Sequence, residues 1–250
     1  MISTRLKSLL RRRLPPAAVK ALFSAAMAGR RASGAIGLPL ASTDWVGYEG
    51  LVDFIRTNRI LDVPGDLLEI GAFLGGGTRK LCRMLEKTNS QKTLWVIDAF
   101  DPSLDTTTNI HGLAMEQLYA SALAAFPGKT QRQVFDRQTA GCQNLRVIAQ
   151  DSRIATLPAK TLCFAFLDGH HDPKSVQSDF ALAWSRLSPG GALAFHDYGG
   201  DLYHLTQTID ALLSTHAKDI KTLQWDRDRW VLYAVKGQER PGGPFGRVPG

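Results

Sequence analysis

Two short segments hold most of the side chains that can do chemistry. Phe166-Leu-Asp168-Gly-His-His171 and Phe195-His-Asp197-Tyr198 each carry an apolar run into an aspartate flanked by histidine. Carboxylates delivered from adjacent strand ends can share a hard divalent cation with water and substrate oxygens. His170, His171 and His196 are half of the six histidines in the chain, and the pattern crowds them onto one rim. A lone histidine is more often structural. Three of them converging with two aspartates favour a site.

A second constellation lies upstream. Glu69-Ile-Gly71-Ala-Phe-Leu-Gly75-Gly76-Gly77-Thr78 brings a strand into a glycine cluster and then a helical pattern. Glycines let the backbone turn tightly and approach a ligand closely, and the helix that follows offers free N–H groups at its start. Such a turn serves a dinucleotide, a nucleotide or S-adenosylmethionine, and in some chains it is turn chemistry alone. Its spacing departs from G-x-G-x-x-G, and no Walker lysine accompanies it. Asp98 ends the next apolar run, where an acid can accept from both hydroxyls of a ribose or simply cap the following segment. Gln150-Asp151-Ser152 ends the one after, suited to an adenine edge or to a helix N-cap.

The elements that must position these residues alternate between strand and helix. Helical spacing predicts helices over 45–59, 77–85, 113–126, 173–187 and 203–217. In the fourth, Val176, Phe180, Ala183, Trp184 and Leu187 form one stripe. Near-continuous apolar runs predict strands at 66–70, 93–97, 145–149, 162–167 and 192–195, the last entered through a Pro189-Gly190-Gly191 turn. Runs 220–225 and 230–235 are so close together that they demand an antiparallel hairpin. Near-continuous apolar strands joined by helices imply an α/β, Rossmann-like, mostly parallel sheet covered on both faces, with ligands at the carboxyl ends of the strands. Three regions result: a basic extension over 1–43, a catalytic domain over 44–236, and a Gly/Pro-rich tail over 237–250 expected to be disordered.

The motifs together resemble class I S-adenosylmethionine-dependent methyltransferases. The nearest pattern is that of the macrocin- and mycinamicin-type O-methyltransferases, with their cephalosporin-hydroxylase-like relatives. Glu69-Ile-Gly71 with Gly75-Gly-Gly-Thr78, Asp168-Gly-His-His171, Asp179, Trp184, Leu187-Ser-Pro-Gly-Gly191 and His196-Asp-Tyr198 carry the resemblance, which spans about 45–236. The pattern is also similar to that of catechol-type O-methyltransferases. The resemblance implies that Glu69, Gly71, Gly75, Thr78, Asp98, Asp151 and Ser152 hold the cofactor. It further implies that Asp168 and Asp197 bind Mg²⁺ and that His171 is the base. Two departures stand out. Pro173 replaces a family tyrosine, and Tyr198 replaces an asparagine ligand, so that His196 or a residue of the 101–112 loop is left as the third protein ligand. The implied reaction is an in-line displacement at a sulfonium methyl by a hydroxyl that a metal acidifies and His171 deprotonates. The polar loop Thr106, Thr107, Thr108, Asn109, His111 suits a small sugar-like or natural-product acceptor. A non-catalytic scaffold of the same fold and a nicotinamide-dependent oxidoreductase are the competing readings.

Composition narrows the classes further. Of 250 residues, 44% are apolar and 21% charged, as in an ordinary globular domain. The net charge of +7 is uneven: eight basic and no acidic residues precede Asp44, whereas the segment from Asp44 onward holds 22 basic and 23 acidic residues. A near-neutral domain has no reason to seek a phosphate backbone, so nucleic acid is not an expected partner. The Arg-rich extension over residues 1–37 fits a peripheral membrane or protein contact, a targeting segment or a packed helix pair. Cys82, Cys142 and Cys163 are odd in number and irregularly spaced, which reads as free thiols in a reducing, cytoplasmic setting. Homo-oligomerisation is compatible with all of this.

Overall fold

The computed structural model describes residues 43–108 and 114–238; the expectations for the basic extension, for Asn109 and His111 and for most of the tail lie outside them. Five parallel strands, β1 (Asp66–Ile70), β2 (Leu94–Ile97), β3 (Leu145–Ile148), β4 (Leu162–Leu167) and β5 (Leu187–Phe195), are completed by β6 (Ile220–Asp226) and β7 (Val231–Lys236). The sheet order is β3-β2-β1-β4-β5-β7-β6, with β7 antiparallel to both β5 and β6. The expected mostly parallel sheet with its terminal hairpin is therefore present. Strand order reverses between β1 and β4. The crevice outside their carboxyl ends is where open α/β sheets bind ligands.

Alternating residues feed two cores. Leu67, Phe164, Phe166, Ala194 and Tyr233 face α1 (Glu49–Thr57) and α2 (Gly76–Lys87), where Leu51, Phe54, Ile55, Leu81 and Leu85 close the layer. Leu68, Ala165, Leu193, Phe195 and Ala234 face the other way, against Val176, Phe180 and Trp184 of α5 (Pro173–Trp184) and Ile209 of α6 (Tyr203–Thr215). All six residues of β4 are buried, as a central strand covered on both faces requires. Asp172 caps α5 by accepting from the N–H groups of Lys174 and Ser175, and Pro173 takes the first helical position, where a missing N–H does no harm.

Three expectations change. Pro189-Gly190-Gly191 lies within β5, where the register against β4 shifts and Gly190 adopts φ 84°. Leu187 accordingly belongs to the strand and not to the stripe of α5. Between α3 (Met115–Leu123) and β3 stands a helix that the periodicity does not announce, α4 (Gln131–Gln138). Its sequence QRQVFDRQ has only two apolar residues, too few for a stripe. The signal that could have found it is a capping box: Thr130 accepts from the Gln133 N–H, and the Gln133 side chain accepts from the Thr130 N–H. Among the described residues no helix is long and apolar enough to cross a membrane, and all three cysteines are free thiols.

Thr130→Ala removes half of that box, so it should cost about 1 kcal/mol and lower the melting temperature by about 2–4 °C. A thermal melt unchanged within error would mean that packing of Phe135 alone holds α4.

Candidate active site

The glycine turn after β1 is built around contacts within the protein. Gly71 has φ 84°, and a Cβ there would stand 2.0 Å from the Asp168 carbonyl oxygen, so only glycine lets the ends of β1 and β4 close. A Cβ on Gly77 would meet the Tyr48 ring at 2.3 Å. Residues 43–48 thus pack over the start of α2, held by Asp44, whose carboxylate accepts from the N–H groups of Val46, Gly47 and Tyr48. Glu69 and Thr78 are fully buried beneath the turn, and Glu69 accepts a 2.6 Å hydrogen bond from the Tyr48 hydroxyl. Both residues support the turn from below. Burial drives Glu69 up to about 8, although its hydrogen bonds with Tyr48 and Thr78 pull the other way.

Asp98 holds the turn from the β2 side. One oxygen accepts from the N–H groups of Ala72 (2.8 Å) and Phe73 (3.0 Å); the other accepts from Phe100 N–H (2.6 Å) and, at 3.4 Å, from Gln131 of α4. All four lone-pair directions of the carboxylate are used. A ribose would have to displace the weakest of these bonds, that from Gln131. Asp151 is held by Arg153, and Asp179 of α5 is buried. His170 lines the same small cavity as Asp168, His171 and His196.

At the ends of β4 and β5, Asp168, His171 and Asp197 each offer a ligand atom, and the three atoms lie within 4.8 Å of one another. His196, expected as the third ligand, is not one of these three but stands against the same two carboxylates. His196 sits beside the trio, with Nδ1 2.8 Å from Asp168 Oδ1 and 3.4 Å from Asp197 Oδ2. Tyr198 turns away, donating its hydroxyl to Asp210. Asp197 itself has φ 56°, a left-handed conformation uncommon outside glycine and frequent at functional sites. A residue that sequence reasoning missed completes the cluster. Asp105, buried in the loop after β2, has Oδ2 2.6 Å from His171 Nδ1.

The charges at this rim are interdependent. Burial pushes Asp168 above the usual carboxylate range, and the neighbouring Asp197 adds to that against His196. Asp197 is held well below that range because His196 and His171 outweigh its burial. Two carboxylates sharing one site split in this way. Burial alone would depress His171, yet its contacts with Asp105 and Asp197 raise it to about 10; His196 is raised well above its ordinary value by Asp168 and Asp197. The phenol of Tyr119, on α3, is raised by burial and then by Asp105, Asp168, Asp197 and Asp98, so α3 overlooks the acid cluster.

Residues 68–198, just over half the chain, match the family model of a methyltransferase domain. The chain belongs to this methyltransferase family. No curated protein matches the sequence. Among solved structures, the O-methyltransferase NovP shares the fold with a TM-score of 0.59 at 21% identity, over 76% of this chain and 78% of NovP. The calicheamicin methyltransferase CalS11 does so with a TM-score of 0.58 at 15% identity, over 87% and 93%. The glycine turn and the Asp/His rim of this methyltransferase both fall inside the matched segment, which leaves the nicotinamide oxidoreductase reading without support.

The buried Glu69 gives the methyltransferase domain a pH dependence. Between its ordinary 4.5 and about 8, the folded chain keeps the proton that the unfolded chain releases. The stabilisation is therefore complete below pH 4.5 and is lost as pH rises through 8, by roughly a few kcal/mol. Glu69→Gln keeps an acceptor for Tyr48 but cannot ionise. Its melting temperature relative to wild type should climb steadily from pH 5 to pH 9. A difference independent of pH would mean that Glu69 is already ionised in the fold.

Proposed function

We propose that this protein is an S-adenosylmethionine-dependent O-methyltransferase, assisted by a divalent cation such as Mg²⁺, acting on a hydroxyl of a small sugar-like or natural-product acceptor. The observation that carries the reading is the convergence of Asp168, His171 and Asp197 at two strand ends, directly beside the glycine turn of a methyltransferase domain. The donor set fits a cation: Asp168 and Asp197 supply hard oxygen ligands, His196 Nδ1 lies 2.8 Å from Asp168 as a further donor, and the buried His171 Nε2, 3.1 Å from Asp197, is left to take a proton. Asp168 and Asp197 would hold the ion. When bound, it would offset their charge and lower the pKa of the acceptor hydroxyl.

The chain's own residues then perform the rest. The turn over Gly71–Gly77 and Asp98 orients the sulfonium methyl, and α3 with Tyr119 closes over the acceptor. The acceptor oxygen forms its bond to the methyl carbon as the carbon–sulfur bond breaks, leaving S-adenosylhomocysteine. Its proton passes to His171 Nε2. That nitrogen is a base only when the negative charge around it is compensated, because Asp105 and Asp197 together raise the imidazole to about 10 against its burial. Holding the two reactants in line supplies much of the acceleration, on the order of several kcal/mol. The sugar-like acceptor rests on the polar loop at 106–108, which the acid rim adjoins, and on the shared fold of CalS11, which is described as a TDP-rhamnose 3'-O-methyltransferase.

Asp168→Asn and Asp197→Asn should each lower methyl transfer by at least ~10²-fold, while the affinity for S-adenosylhomocysteine stays within a few-fold by calorimetry. A chelator should abolish transfer from radiolabelled S-adenosylmethionine, and added Mg²⁺ should restore it. Full activity in both variants and in chelator would remove the metal from the reaction. A panel of glycosides and catechols tests the acceptor, and strict preference for catechols would overturn the sugar-like assignment.

A further inference from the structure

Asp105 lies 66 residues before His171 in sequence, yet both are 3% exposed and their side chains meet at 2.6 Å. Each partner is fixed independently. Asp105 Oδ1 accepts from the Thr107 N–H (3.1 Å) and from the Thr107 hydroxyl (2.6 Å), and the Asp105 carbonyl accepts from Glu116 N–H. Thr107 in turn accepts from Met115 N–H, so the loop is tied to the start of α3. The His171 carbonyl lies 3.1 Å from His204 Nε2 on α6. With its oxygen Oδ1 committed to Thr107, the carboxylate has Oδ2 free for one task, which is to accept from His171 Nδ1–H.

We propose that Asp105 is a positioning residue: it holds the His171 ring with the proton on Nδ1, so that the lone pair or exchangeable proton of Nε2 faces Asp168 and Asp197. This rests on the methyl-transfer reading for its consequence, although not for its geometry. A histidine that serves a cation or takes a substrate proton through one nitrogen commonly donates its other N–H to a carboxylate, which selects the tautomer and the ring orientation. The same contact could be a tie between a loop and a strand end. The two roles diverge when the carboxylate becomes an amide. In Asp105→Asn the two donors of Thr107 would keep the amide oxygen on their side and turn the NH₂ toward His171 Nδ1. The number of hydrogen bonds is conserved, and so is the tie. The tautomer is reversed, because Nδ1 must now accept and the proton moves to Nε2.

The test uses full-length protein with ring-¹⁵N-labelled histidine, S-adenosylhomocysteine and Mg²⁺. Wild type should give a hydrogen-bonded Nδ1–H signal for His171, assigned by its loss in His171→Gln. Asp105→Asn should move the proton to Nε2, keep the melting temperature and the S-adenosylhomocysteine affinity, and lower kcat on the order of 100-fold with KM for S-adenosylmethionine unchanged. An unprotonated Nδ1 in wild type overturns the proposal without any variant, as does Asp105→Asn turnover within twofold of wild type. If no acceptor in the panel is methylated by wild type, the functional reading fails, and the ¹⁵N spectra still decide the role of Asp105.

Discussion

The site depends on how closely two strand ends approach across the point where the sheet reverses its order. A single Cβ at Gly71 would stand 2.0 Å from the Asp168 carbonyl oxygen, well inside any tolerable contact. Because that space is empty, the turn that follows β1 and the acids that follow β4 and β5 form one crevice. The Asp168 N–H donates to the Ile70 carbonyl, and the His196 N–H to the Leu167 carbonyl, so the ladder continues one step past each strand end. The chemistry is carried by the first residues outside the ladder, where the backbone is still rigid and the side chains are no longer committed to the core.

Such a position is electrostatically demanding. Asp168 and Asp197 share a buried rim, and burying anions without compensation is costly. His171 and His196 supply the compensation in this structure, which is why both imidazoles are raised and the two carboxylates are driven apart in acidity. A cation at the same place would take over the role of those protons. Backbone strain accompanies this arrangement: Phe73 at φ 51° and Asp197 at φ 56° lie on opposite sides of the crevice, each in a conformation that the surrounding hydrogen bonds must enforce.

Much of this was legible beforehand. The central strands follow from near-continuous apolar runs, because a strand covered on both faces, as β4 is, must be apolar. The hairpin follows from the short spacing between its two runs, and the free cysteines from their irregular spacing. The helix α4 escaped notice because polar residues dominate it and only its cap is diagnostic. The start of β5 was taken for a turn because Pro-Gly-Gly reads that way locally, whereas pairing with β4 absorbs it as a bulge. The acids of the cofactor half were found as residues, but their occupation was not. Asp98 is held by three backbone N–H groups and by Gln131, and Glu69 is sealed under the turn with Tyr48.

The sequence by itself determined the order of elements and therefore which side chains emerge at the carboxyl edge of the sheet, since periodicity and strand ends are local properties. It put Asp168, His170, His171, His196 and Asp197 on that edge. Only the tertiary structure decided how they divide. His196 pairs with Asp168, and His171 is clamped from behind by Asp105. The reason is physical. A hydrogen bond spanning 66 residues depends on where a loop anchored to a different helix comes to rest, and no pattern within either segment encodes that meeting.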